Sequence, residues 1–177
     1  MEIIALIIVA IFFIIVLSMY NGLIRKRNAV KQSRSSIDVY LTQRFDLIPN
    51  LIETVKGYAK HEKEVFESIT KLRSEYEQTK DLTKASELNK QIDNILLIGE
   101  NYPELKSSEN FLNLQKNLTK MEDQLQAARR LYNTDVTSYN TSLQVFPTNL
   151  VASAFHFKEE KLFELEAGKQ QNIKVEL

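Results

Sequence analysis

Residues 3–17 read IIALIIVAIFFIIVL, fifteen consecutive apolar side chains. No other feature constrains the chain so strongly. A hydrocarbon core of about 30 Å is crossed by about 20 residues at helical rise. Ser18, Met19 and Tyr20 lengthen the run at little cost, and Tyr20 suits the membrane–water boundary. A cleaved signal peptide is the rival. It is disfavoured because no basic stretch precedes the run and Ser18-Met19-Tyr20 is a poor small-x-small cleavage site. Residues 1–22 are therefore expected to be an uncleaved transmembrane anchor.

Charge sets the expected orientation. Glu2 is the sole charged side chain before the run, whereas Arg25, Lys26, Arg27, Lys31 and Arg34 follow it. The positive-inside bias predicts a single-pass protein of a bacterial cell membrane with its amino terminus outside and its body in the cytoplasm. The cluster Arg25, Lys26, Arg27 and Lys31 is either a topology signal alone or also a contact for anionic head groups.

Beyond the anchor the pattern is helical. Ile37, Leu41, Phe45, Ile48, Ile52, Val55 and Ala59 recur at spacings of three and four, with Leu47, Leu51 and Tyr58 widening the arc. Pro49 lacks a donor, so a kink near Phe45 is expected. Val65, Ile69, Leu72 and Tyr76 form a second stripe. The polar stretch EQTKDLTKAS breaks or loosens it before Leu88, Ile92, Ile95 and Leu96 resume the period, and Gly99 and Pro103 are expected to close that element as a C-cap glycine and a following proline. A third stripe runs from Phe111 through Leu118, Leu125, Tyr132 and Tyr139 to Phe146, opened by a Ser107 or Ser108 cap and stopped by Pro147. Thr148 or Asn149 would cap a short helix through LVASAF. Four glycines and three prolines are few for a sheet protein. The fold class is all-α: a transmembrane helix followed by an antiparallel four-helix bundle over 23–168, with a polar tail at 169–177.

Chemistry is scarce. The 23 basic and 23 acidic residues balance, so nothing draws the chain globally toward nucleic acid. Without cysteine there is no disulfide, thiolate metal site or cysteine nucleophile. His61-Glu62 suggests a zincin, but that pattern needs a histidine where Val65 stands, which leaves a His–carboxylate metal site as the weaker option. Asp46 and Glu53 lie seven residues apart, roughly 10 Å along a helix, too wide to share a proton. No catalytic residue, metal or cofactor is expected.

Two features remain. Arg44 falls inside the apolar arc, either as a snorkelling stem or as one half of a buried ion pair. Asp46, Asn50, Glu53 and Gly57 fall opposite that arc, either as a solvated face or as a docking strip. Asparagine and glycine there are poor helix formers.

The stretch IDVYLTQRFDLIPNLIETVKGYAKHE (37–62) resembles the signature of the LemA family of bacterial membrane proteins. YPELKSSENFLNLQKNLTKMEDQLQAARRLYN (102–133) and YNTSLQVFPTNLVASAFHF (139–157) are similar in the same order and spacing, as is the preceding YNGLIRKRNAV. The family pattern departs at Arg34, where an aromatic residue is common, and at His156, where FHF replaces FGF. The resemblance implies an anchor, a four-helix domain and no established enzymatic activity. A magnetosome protein belongs to the same family, which suggests membrane organisation by analogy. The expected function is a non-enzymatic membrane-anchored scaffold or adaptor, with a regulatory or stress-signalling component acting on a partner membrane enzyme as the alternative. The expected partners are the lipid bilayer, further copies of the chain and an unidentified protein, and not nucleic acid.

Overall fold

The computed structural model describes residues 1–59 and 63–163. His61, Glu62 and the 169–177 tail lie outside the described residues. Helix α1 spans Glu2–Phe45, α2 Ile48–Lys56, α3 Lys63–Thr79, α4 Leu82–Glu100, α5 Pro103–Lys106, α6 Glu109–Gln144 and α7 Thr148–Ala154. No strand occurs among the described residues. The architecture is all-α, a helical bundle with a long apolar helix at its amino terminus.

Helix α1 continues through Gly22 without interruption. Its amino-terminal part is long and apolar enough to cross a membrane, and none of that window is buried within the protein. The break comes at Asp46-Leu47, as Pro49 demands. With no N–H on Pro49, the Phe45 carbonyl loses its helical donor. Leu47 N–H instead reaches back to the Arg44 carbonyl at 3.2 Å, and Pro49 then occupies the first turn of α2, where a missing donor is harmless.

The chain divides into two compact units, 34–128 and 1–33 with 129–177. In the first, Ile37, Leu41, Ile48, Leu51, Ile69, Leu88, Ile92, Ile95 and Leu118 are fully buried, and α1–α2, α3, α4 and α6 surround them. Each such side chain contributes about 1.5–3 kcal/mol by leaving water. The polar stretch after α3 proves to be a tight turn. Lys80 takes a positive φ of 51°, and Asp81 accepts from Thr83 N–H at 2.8 Å to cap α4, so α3 and α4 run antiparallel. Lys84 on α4 is bonded to Glu75 on α3 and holds that carboxyl below its usual range.

Three expectations are corrected. Gly99 does not cap α4. It lies inside the helix, buried, and the helix ends at Glu100 with Asn101 as cap. Phe146 is not core: α6 stops at Gln144, and the ring is 79% exposed. Neither Thr148 nor Asn149 caps α7, because Pro147 occupies the cap position and makes no side-chain bond. The Phe146–Pro147 peptide is cis.

In the second unit Leu23, Val151 and Ala152 form a small core, covered by Val16, Met19, Tyr20, Leu143 and Phe157. Helix α7 therefore packs on α1 where the apolar run ends.

Candidate functional site

The strip opposite the apolar arc is solvent-exposed at all four positions. Only Asn50 and Glu53 lie on α2. Asp46 sits in the turn before it, and Gly57 just after it. Asp46 pairs with Arg73 of α3 at 3.1 Å. Gly57 keeps a helical φ of −62°, so no left-handed turn requires glycine there, and a Cβ would meet nothing within 4 Å. Glycine thus leaves an open place on the surface.

Arg44 lies at the carboxyl end of α1, where a cation complements the helix dipole. Its side chain is 4% exposed. One guanidinium nitrogen is paired with Glu122 of α6, and the other donates to Asp93 of α4 at 3.2 Å. A planar fork suits two carboxylates approaching from different helices. Asp93 is 60% exposed and Glu122 26%, so the network has one wet edge.

The basic cluster is divided. Arg25 and Lys31 are exposed. Lys26 is bonded to Ser142 and donates to the Ser138 carbonyl at 3.3 Å, and the Arg27 guanidinium lies 5.3 Å from the centroid of the Phe157 ring. Two of the four cations therefore hold α6 and the segment after α7 against α1.

One constellation escaped the reading by periodicity. Tyr132-Asn133-Thr134 and Tyr139-Asn140-Thr141 are a YNT repeat with heptad spacing. The Asn133 carboxamide donates to the Phe163 carbonyl at 3.0 Å and accepts from the Phe163 N–H at 2.7 Å. Asn140 does the same to Glu160, at 2.8 and 3.0 Å. The Tyr132 and Tyr139 hydroxyls donate to the Lys161 and Lys158 carbonyls at 2.9 and 3.1 Å. Burial pushes the Tyr139 phenol above its ordinary value. Seven helical residues rise about 10.5 Å, and three extended ones span about 10 Å, so the two repeats match in pitch. Residues 158–163 are thereby held antiparallel along α6.

Two shallow surface concavities run along α6, one around Leu112–Asp123 and one around Asn133–Ser138. Each is lined by that helix alone, so each is a groove on one element and not a cleft between elements. Among the described residues no cluster of histidine and carboxylates is arranged to hold a metal.

A helical bundle that follows an apolar, membrane-length helix, stabilised by ion pairs and main-chain clamps, defines the class of protein. The chain belongs to the LemA family, whose profile matches residues 33–177. Protein LemA of Metamycoplasma hominis is 29% identical over 161 residues, covering 88% of this chain and 74% of that protein. Magnetosome protein MamQ 2 of Paramagnetospirillum magneticum is 22% identical over 186 aligned residues, covering 88% and 68%. Magnetosome protein MamQ of Magnetospirillum gryphiswaldense is 20% identical, covering 86% and 67%. None of these names carries an enzymatic activity.

Proposed function

We propose that the protein is a membrane-anchored, non-enzymatic scaffold or adaptor that assembles laterally, with copies of itself or with a protein partner, through Asp46, Asn50, Glu53 and Gly57. The observation that carries this reading is the exposed strip with an open place at Gly57, on the elements that directly follow the anchor helix. Copies held in one bilayer share an orientation and move in two dimensions, so weak contacts gain from a high effective concentration. The magnetosome names of relatives add a theme of membrane organisation.

Gly57→Leu should obstruct close approach, and Asn50→Lys should add an unmatched charge. Both positions are exposed, so helicity should be retained. The test is particle size of the full chain in mild detergent, alongside the set of co-purifying proteins. A large defined particle that shrinks in the variants supports self-assembly, and a lost stoichiometric partner supports the adaptor role. Folded variants with unchanged size and partners would make the strip a solvated surface.

A further inference from the structure

The end of α6 and the short α7 carry a set of apolar side chains that the described residues leave uncovered. Phe146 is 79% exposed, Leu150 62% and Phe155 54%, and Val145 is exposed beside them. Their place is specific. Helix α7 packs through Val151 and Ala152 on Leu23, with Val16, Met19 and Tyr20 around them, and the Tyr20 ring lies tilted against Phe155 at 4.8 Å between centroids. Val16 belongs to the apolar run. If the span begins at Ile3, about 20 residues take it to Gly22, which puts Val16 about 9 Å inside the boundary. Helix α7 is therefore level with the last turns of the span.

Two independent observations agree. Residues 136–157 contain no Asp, Glu, Lys or Arg, in a chain that is 26% charged, and Asp135 and Lys158 bound this stretch. Through the turn several backbone donors are satisfied internally. Val145 N–H reaches the Thr141 carbonyl at 3.1 Å, Asn149 that of Val145 at 2.9 Å, Leu150 that of Pro147 at 3.2 Å and Phe157 that of Ala152 at 3.0 Å. Pro147 has no N–H to satisfy. A segment without Asp, Glu, Lys or Arg, with several of its amides paired and aromatic rings at the boundary, can enter the lipid interface at reduced polar cost, although polar side chains such as Asn149 and His156 remain.

We infer that the α6–α7 tip is a second membrane contact, with Phe146, Leu150 and Phe155 immersed in the leaflet on the carboxyl-terminal side of the span. The occupant of this apolar surface is lipid, because the surface is continuous with the span itself. Arg25 is the first basic residue after the span and Lys158 the first after the uncharged stretch, as suits side chains that meet head groups. The inference rests on the membrane-anchored part of the proposed function and not on the assembly strip.

The chain contains no tryptophan, so one introduced tryptophan is the sole such reporter. Four full-length variants are reconstituted in vesicles with lipids brominated high on the acyl chains: Phe146→Trp, Leu150→Trp, Phe13→Trp in the span and Leu131→Trp on α6. Leu131 is exposed and lies about 20 Å along α6 from its carboxyl end. The expected result is blue-shifted emission, largely lost to bromine, for Phe146→Trp, Leu150→Trp and Phe13→Trp, with Leu131→Trp unquenched. If Phe13→Trp is quenched while both tip reporters match Leu131→Trp, the tip is in water and the inference is overturned. Blue-shifted but unquenched tip reporters would mean that protein covers the tip, which also overturns it. If Phe13→Trp itself escapes quenching, the membrane reading beneath it fails first.

Discussion

The ring of Phe111 occupies the space that a side chain on residue 99 would need: a Cβ built on Gly99 comes within 2.3 Å of the Phe111 Cζ and 2.7 Å of a ring Cε. Phe111 is itself buried and has little freedom to withdraw. The glycine is there for close packing of α6 on α4.

Gly99→Ala should therefore destabilise the protein by about 1–3 kcal/mol through overpacking, although alanine gains about 1 kcal/mol as a helix former. Urea unfolding of the full chain in detergent measures it. Adding Phe111→Leu should cost less in the Gly99→Ala background than in the wild type, a coupling expected only of residues in contact. Additive effects would show that the ring can move aside.

Arg44→Ala should cost about 2–4 kcal/mol, toward the lower end of what breaking a buried pair costs, because exposed Asp93 can rehydrate when its partner leaves. Arg44→Met should recover part of the loss by packing. Glu122→Gln should cost less than Arg44→Ala, since Asp93 still faces the guanidinium. A neutral Arg44→Ala would mean that the network contributes nothing measurable.

Tyr76 offers a titration. Its ring is buried edge-on to Phe45, with centroids 5.0 Å apart, and its hydroxyl is buried with no hydrogen-bond partner among the described residues. Burial, reinforced by Asp38, pushes the phenol up to about 12, against an opposing effect of Arg34. The folded state thus prefers the neutral form. Stability that is complete below pH 10 should fall by up to about 2–3 kcal/mol as pH rises toward 12. Tyr76→Phe should be close to neutral at pH 7 and should remove its share of that alkaline loss. An unchanged alkaline profile would show that the hydroxyl is solvated.

Orientation can be read by labelling, since the chain has no cysteine of its own. Glu87→Cys places a thiol on an exposed position of α4. A body in the cytoplasm predicts no reaction with an impermeant maleimide in intact cells and full reaction after permeabilisation. Labelling of intact cells would reverse the orientation.

Much of the helical core follows from spacing alone, because three- and four-residue recurrence leaves Ile37, Leu41, Ile69, Leu88, Leu118 and Leu125 little alternative to the interior. The failures lie where local chemistry is ambiguous. A glycine near the end of a helix, followed by a proline, looks like a stop signal, and only the approach of Phe111 assigns Gly99 to packing. Phe146 continues the stripe in phase but falls beyond the last turn of α6, so the period places it on a face that no longer exists. Arg44 is conspicuous inside the apolar arc, while its partners, 49 and 78 residues away, leave no local trace. The YNT repeat stands in the sequence at heptad spacing but gives no hydrophobic signal, so the reading by periodicity passes over it. Its purpose leaves no trace either, because it matches main chain, which has no sequence.

A clamp made on main chain sets what residues 158–163 are free to vary. An asparagine carboxamide presents the same donor and acceptor as a peptide group, so Asn133 and Asn140 grip amide units whatever side chains those units carry. The clamp works as a ruler. It measures three residues of tail against two turns of helix, and it does not read letters. Substitutions at Glu160 should pass almost unnoticed, whereas deleting one residue between Glu160 and Phe163 leaves one carboxamide facing the wrong amide. In this stretch the clamp makes length the inherited quantity, and side-chain identity enters through Glu159, which accepts from Gln144, and Phe163, whose ring lies beneath the Arg129 guanidinium.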